Sequence, residues 1–195
     1  QYCVILYIMN IFYLDKDETV CAQMHNDKHC IKMILEYSQL LSTAHRVLDG
    51  QEVTVKSKTN RNVKRWILSD DRETILYSAT HINHPSAIWC RHSNSNYIWL
   101  SKLLKELCKE YTYRYGKVHK CEQIGLVDKL FWNTPKNIPN ANFTEPTPAM
   151  PDAVKIAGNS LASYRNYYIN NKTHLASWQG KINSRPIPEW YNAQL

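Results

Sequence analysis

YIWLSKLLKELCKEYTYRY, residues 97–115, carries apolar side chains at Tyr97, Leu100, Leu104, Leu107 and Tyr111. They recur every three or four residues and so form one stripe along an α-helix that must be buried against something. Gly116 ends this helix beside Arg114 and Lys117, whose charges suit a helix C-terminus. A second helical pattern runs from about Thr19 to Leu48, through Val20, Met24, Ile31, Ile34, Leu35, Leu41 and Ala44. Asp15 to Glu18 supplies turn and capping chemistry before it, and Asp49-Gly50 stops it.

Working outward, Pro85 sits where a helix begins, and Asn94 is placed to cap the helix after it. Shorter helices are expected over Asp70 to Ala79, Cys121 to Phe131 and Asp152 to Trp178. Asn10 to Leu14, rich in Ile, Phe and Tyr, reads as a short buried strand. Gln51 to Arg65 alternates weakly and carries Lys56, Lys58, Arg61, Lys64 and Arg65, so an exposed basic loop or hairpin is expected. Asn133 to Pro151 holds five prolines and reads as a long ordered loop; Arg185 to Tyr191 reads as an extended aromatic tail. The expected fold is mainly α: a compact single-domain helical bundle over 9–195, with a short N-terminal strand and a Pro-rich ordered loop. Residues 1–8 read as an N-terminal extension before Met9.

Composition narrows the function classes. The chain has 195 residues, 44% hydrophobic and 21% charged, which is globular and not disordered. Thirteen Tyr and six Trp against three Phe favour surfaces where a ring stacks and a polar tip bonds. A net charge of +7 favours polyanionic partners. The apolar run Gln1 to Leu14 is too short to span a bilayer, so no membrane partner is expected. Six cysteines without a CxxC pair predict reduced thiols and a cytoplasmic protein, in the host cell if viral.

No GxGxxG, Walker loop, HExxH or GxSxG occurs. Three clusters remain. The first is His25, Asp27, Lys28 and His29, followed by Lys32 and Glu36. Two imidazoles four residues apart share a helix face, and Lys28 lies on an adjoining stripe. As acid/base groups, or with Lys28 as an amine nucleophile and Glu36 orienting, these four residues (His25, Lys28, His29 and Glu36) are the catalytic candidates. As metal ligands, the two histidines lack an evident third partner, so no metal or other cofactor is assigned. The second cluster is His84, Trp89, Arg91 and Asn96, in which Arg91 could grip a phosphate and Trp89 could stack. The third, Arg114, Lys117 and His119 among tyrosines, resembles a backbone-binding surface at a helix end. With Lys32, Lys64 and Arg65, these form the nucleic-acid-binding candidates. For each cluster the plain alternative is a helix corner, a cap or a solvated surface.

The segments Met9 to Asp15, Asp27-Lys28-His29, His84-Pro85-Ser-Ala-Ile-Trp89 and Glu110 to Lys117 resemble a group of tailed-phage proteins, a likeness that runs from Met9 to Tyr191 and carries no function with it. More remotely, Asn10 to Glu36, His84 to Gly116 and the Arg185-Pro186…Trp190-Tyr191 tail are similar in layout to the phage pyrimidine-dimer DNA glycosylases of the endonuclease V type. That resemblance implies an amine attacking C1′ of a damaged nucleotide, an imine intermediate, β-elimination and base flipping. The family's small N-terminal residue is missing after Met9, and Lys28-His29 stands where a catalytic Glu belongs. Lys28 then replaces the terminal amine, with Glu36 or Asp27 as partner, or the chemistry is absent. The leading expectation is a monomeric DNA glycosylase/AP lyase. The alternatives are a non-catalytic nucleic-acid-binding or virion-associated protein, and a His-dependent metal hydrolase.

Overall fold

The computed structural model describes residues 9–193; the expected extension over 1–8 lies outside them. The architecture is mainly α, with nine α-helices and one two-stranded antiparallel sheet among the described residues. None of these helices is long and apolar enough to cross a membrane.

The expected Thr19 to Leu48 helix is two helices, α1 (Glu18–Met24) and α2 (Asp27–Asp49). Asp17 caps α1 by accepting from the Val20 amide. Asn26 breaks the run: its backbone is extended and its side chain accepts from the His29 amide at 2.8 Å, which starts a new helix. α2 buries Cys30, Met33, Ile34, Tyr37, Leu41 and Ala44 on one face. It leads directly into the hairpin β1 (Gln51–Lys56) and β2 (Asn62–Ile67), paired Val53↔Arg65 and Val55↔Val63.

After a short α3 (Arg72–Ile75), α4 (Pro85–His92) begins at Pro85 as expected. α5 (Asn94–Tyr115) starts one residue earlier than Asn94 capping would give, because Ser93 is the cap, accepting from the Asn96 amide. Its stripe packs into one core with α1 and α2. The Cys121 to Phe131 pattern forms α6 (Lys120–Gln123) and α7 (Leu126–Trp132), separated by Gly125 at φ +77°. Of Asp152 to Trp178 only α8 (Ser160–Asn171) is α-helical, capped by Asn159; short 3-10 turns flank it. A last turn, α9 (Glu189–Asn192), ends the tail.

The N-terminal strand is a correction. Residues 10–14 are buried but pair with no strand among the described residues. Side chains take over the ladder: the Phe12 amide donates to Tyr37 Oη (3.1 Å), and Arg165 Nε donates to the Leu14 carbonyl (2.9 Å). The Pro-rich loop is ordered by similar means. Trp89 Nε1 donates to the Thr144 carbonyl, Tyr164 Oη to that of Thr147, and Asp49 accepts from the Lys136 and Asn137 amides.

Candidate functional site

The first cluster does not share one helix face. His25 is the C-cap of α1, while His29 lies in the first turn of α2, and both rings are interior. A carbonyl only accepts, so His25 Nδ1–H donates to the Cys21 oxygen (2.8 Å) and Nε2 accepts from the Tyr37 hydroxyl (3.0 Å). Burial holds this imidazole neutral, with its pKa pushed down to about 4. His29 stacks on Phe12 at 4.1 Å and meets the Tyr168 hydroxyl at 2.6 Å through Nδ1. Burial, then the nearby His25 and Lys172, push its pKa well below the usual value. Lys28 is exposed, and buried Glu36 pairs with Lys32 at 2.9 Å. The four catalytic candidates are therefore divided: His25 and His29 meet the same Phe12 ring in the interior, at 6.2 and 4.1 Å, while Lys28 is exposed and Glu36 is held by Lys32. No group of three metal-ligating side chains occurs among the described residues.

Arg114 is a second correction. It is wholly buried and cannot reach a phosphate. Its Nε meets Glu110 at 2.6 Å, Nη1 meets Asp27 at 3.0 Å, and Nη2 donates to the Gln23 carbonyl. Asp27 also accepts from Ser177 Oγ (2.6 Å) and the Gly180 amide, while Glu110 accepts two bonds from Arg185. This network ties α1, the start of α2, the end of α5 and the tail together.

The His84–Asn96 segment is a helix corner. His84 caps α4 by accepting from the Ser86 amide. Asn96, also buried, donates to the Trp89 carbonyl and to Thr144 Oγ1 and accepts from the Thr144 amide. Trp89 and Asn96 thus anchor the Pro-rich loop and offer no free edge to a base. Arg91 is half-buried with Nη1 unpartnered, and burial lowers its pKa. His119 caps α6 and meets the Tyr111 ring edge-on; Lys117 is exposed. Three clefts on the described surface are lined by none of His84, Arg91, Arg114, Lys28 and Glu36.

Exposed cations also stand at Lys28, Lys117, Lys120 and Lys181, but the densest run of exposed positive charge is on the hairpin. Residues 51–67 hold five cations against the single carboxylate Glu52, more than half of the chain's formal excess of +7. Lys56, Lys58, Arg61, Lys64 and Arg65 are all exposed, and among the described residues only Lys64 has an ion-pair partner, Glu52 at 2.7 Å. The root is rigid. Arg46, buried at the end of α2, spends its guanidinium on the Tyr77, Trp66, Glu73 and Leu76 carbonyls and the Glu73 carboxylate. Beside it, buried Arg72 grips Asp49 (2.5 Å) and Asp70 (2.8 Å) and donates to His45 Nδ1 (2.9 Å). His45 Nε2 bonds the Tyr97 hydroxyl; burial and then Arg72 push the His45 pKa down to about 4. Sequence pattern marks Asp49 only as a helix stop and gives Arg46 and Arg72 no role. Their alternation of charge near a helix end looks like ordinary surface until the partners are in place.

No protein-family model matches the chain, and neither does any curated protein or solved structure.

Proposed function

We propose that the protein binds nucleic acid, with the β1–β2 hairpin as the contacting element. The observation that carries this reading is the exposed ribbon with five cations and one carboxylate, held on a root of buried, carboxylate-paired arginines. A two-stranded ribbon has the width of the DNA major groove, and unpaired Lys and Arg gain counterion-release energy on phosphates. Four of the five cations are free of carboxylate partners within the described residues, so binding displaces few internal bonds.

The test is the salt dependence of binding to duplex DNA, read by fluorescence anisotropy. Replacing Lys56, Arg61 and Arg65 together by Ala should lower the slope of log K against log salt by about 3, at roughly 0.9 per lost phosphate contact. The fold should be unaffected, because all three side chains are exposed. An unchanged slope would remove the hairpin from the interface.

Among the four catalytic candidates, Lys28 is the amine that glycosylase/lyase chemistry would use, since His25 is bonded internally and Glu36 is taken by Lys32. Borohydride trapping on abasic DNA separates the two readings. An adduct that disappears in Lys28→Ala makes the protein an enzyme; no adduct leaves binding alone.

A further inference from the structure

At the opposite end of α2 from the hairpin, a cleft of about 540 Å³ opens between α1, α8 and the tail. The separation is roughly 34 Å, the length of a 23-residue helix. Its size falls in the range of small-molecule sites, about 300–1,000 Å³. One wall is apolar, built from Val20, Met24, Ile187 and Trp190. Two arginines also line it. Arg165 donates through Nε to the Leu14 carbonyl, meets Asp15 only at 3.4 Å, and lies 5.3 Å from the Trp190 ring centroid. Arg185 holds Glu110 through Nε and Nη2 and stacks 4.1 Å over Tyr113. In each, Nη1 donates to nothing among the described residues and is not sealed from solvent; Arg185 also borders a smaller adjoining cleft with Glu110 and Tyr113. Glu189, exposed, is the one carboxylate bordering the cleft.

We propose that this cleft binds a phosphate monoester carried on a planar heteroaromatic ring, the chemistry shared by a free nucleoside monophosphate and the phosphorylated end of a strand. Two guanidinium groups with spare donors suit a dianion with several equivalent oxygens better than a single carboxylate. Inorganic phosphate would leave most of the volume and the whole apolar wall uncovered, whereas a base lies flat against Met24, Ile187 and Trp190. The inference does not rest on the hairpin.

Calorimetric titration of the full chain with thymidine and adenosine 5′-monophosphates, the nucleosides and inorganic phosphate tests it. One-to-one binding of a monophosphate is expected, at least about tenfold tighter than its nucleoside or phosphate. Arg165→Gln should weaken it by about tenfold or more. Ile187→Asp, at an exposed position that the fold does not need, should do the same, and Glu189→Gln should tighten it. A preference for a 5′-phosphorylated over a 5′-hydroxyl oligonucleotide, retained when Lys56, Arg61 and Arg65 are removed, assigns the site to strand ends; no such preference assigns it to free nucleotide. Absence of saturable binding, affinity for phosphate equal to that for the monophosphate, or unchanged affinity in both Arg165→Gln and Ile187→Asp overturns the proposal.

Discussion

Acidification from about pH 7.5 to about pH 4.5 should destabilise this protein well before its carboxylates titrate, because its interior histidines are neutral. His25 and His45 each fall from an unfolded value of 6.5 to about 4 in the folded chain. Between those two values the unfolded state binds protons that the native state refuses, so stability is whole above the unfolded pKa and drains as pH falls. Below about pH 4 the native rings protonate too, and this contribution stops changing. A shift of that size corresponds to about 3 kcal/mol per histidine, hence about 6 kcal/mol for the pair, and His29 adds in the same direction. Set against a typical total of about 5–15 kcal/mol, that predicts acid unfolding near the lower end of the window. Urea denaturation followed by circular dichroism over this pH range measures it. The free energy should fall with a slope approaching two protons or more, at constant m. His25→Gln should be less stable at neutral pH yet show a slope smaller by one proton. A free energy that stays flat between about pH 7 and pH 5 would refute the burial of these rings as neutral, fully bonded groups.

Two further perturbations probe the networks. Arg114→Met leaves Asp27 and Glu110 without their shared cation; a loss of about 3–5 kcal/mol in the unfolding free energy, measured by urea titration, is expected as the cost of stranding buried charge. Arg46→Lys cannot reproduce the fork that bonds four carbonyls and Glu73, so hydrogen exchange of the β1 and β2 amides should accelerate by about tenfold or more while the α5 core stays protected. Equal acceleration in α5 would mean that Arg46 supports the whole fold and not the hairpin root.

Periodicity made the bundle legible: the Tyr97 to Tyr115 stripe, the Pro85 start and the basic hairpin all stand where residue pattern places them. Breaks inside apolar runs were not legible, because Asn26 and Gly125 act through local backbone geometry that a 3.6-residue pattern averages over. That one break also divides the catalytic candidates between two helices. Four-residue spacing puts His25 and His29 on one face only if a single helix carries both, and Asn26 divides it. The buried strand failed for a different reason. Ile, Phe and Tyr signal burial in any extended segment, but a strand also needs a neighbour, and here Tyr37 and Arg165 supply the missing bonds.

The arginines show why function was harder to read than fold. Arg46, Arg72 and Arg114 look from sequence like Arg65 or Arg61, yet the three are buried and each holds at least one carboxylate within 3.0 Å. Leaving any of them without its partner would cost several kcal/mol, so their carboxylates are structural requirements and their charge is unavailable to a ligand. The hairpin cations carry no such requirement: they are solvated, mostly unpaired, and contribute nothing visible to packing. Self-repulsion within so small a ribbon is a cost that folding does not need. That contrast between solvated hairpin cations and bonded interior arginines is what supports the proposed reading of the hairpin as a polyanion-binding element.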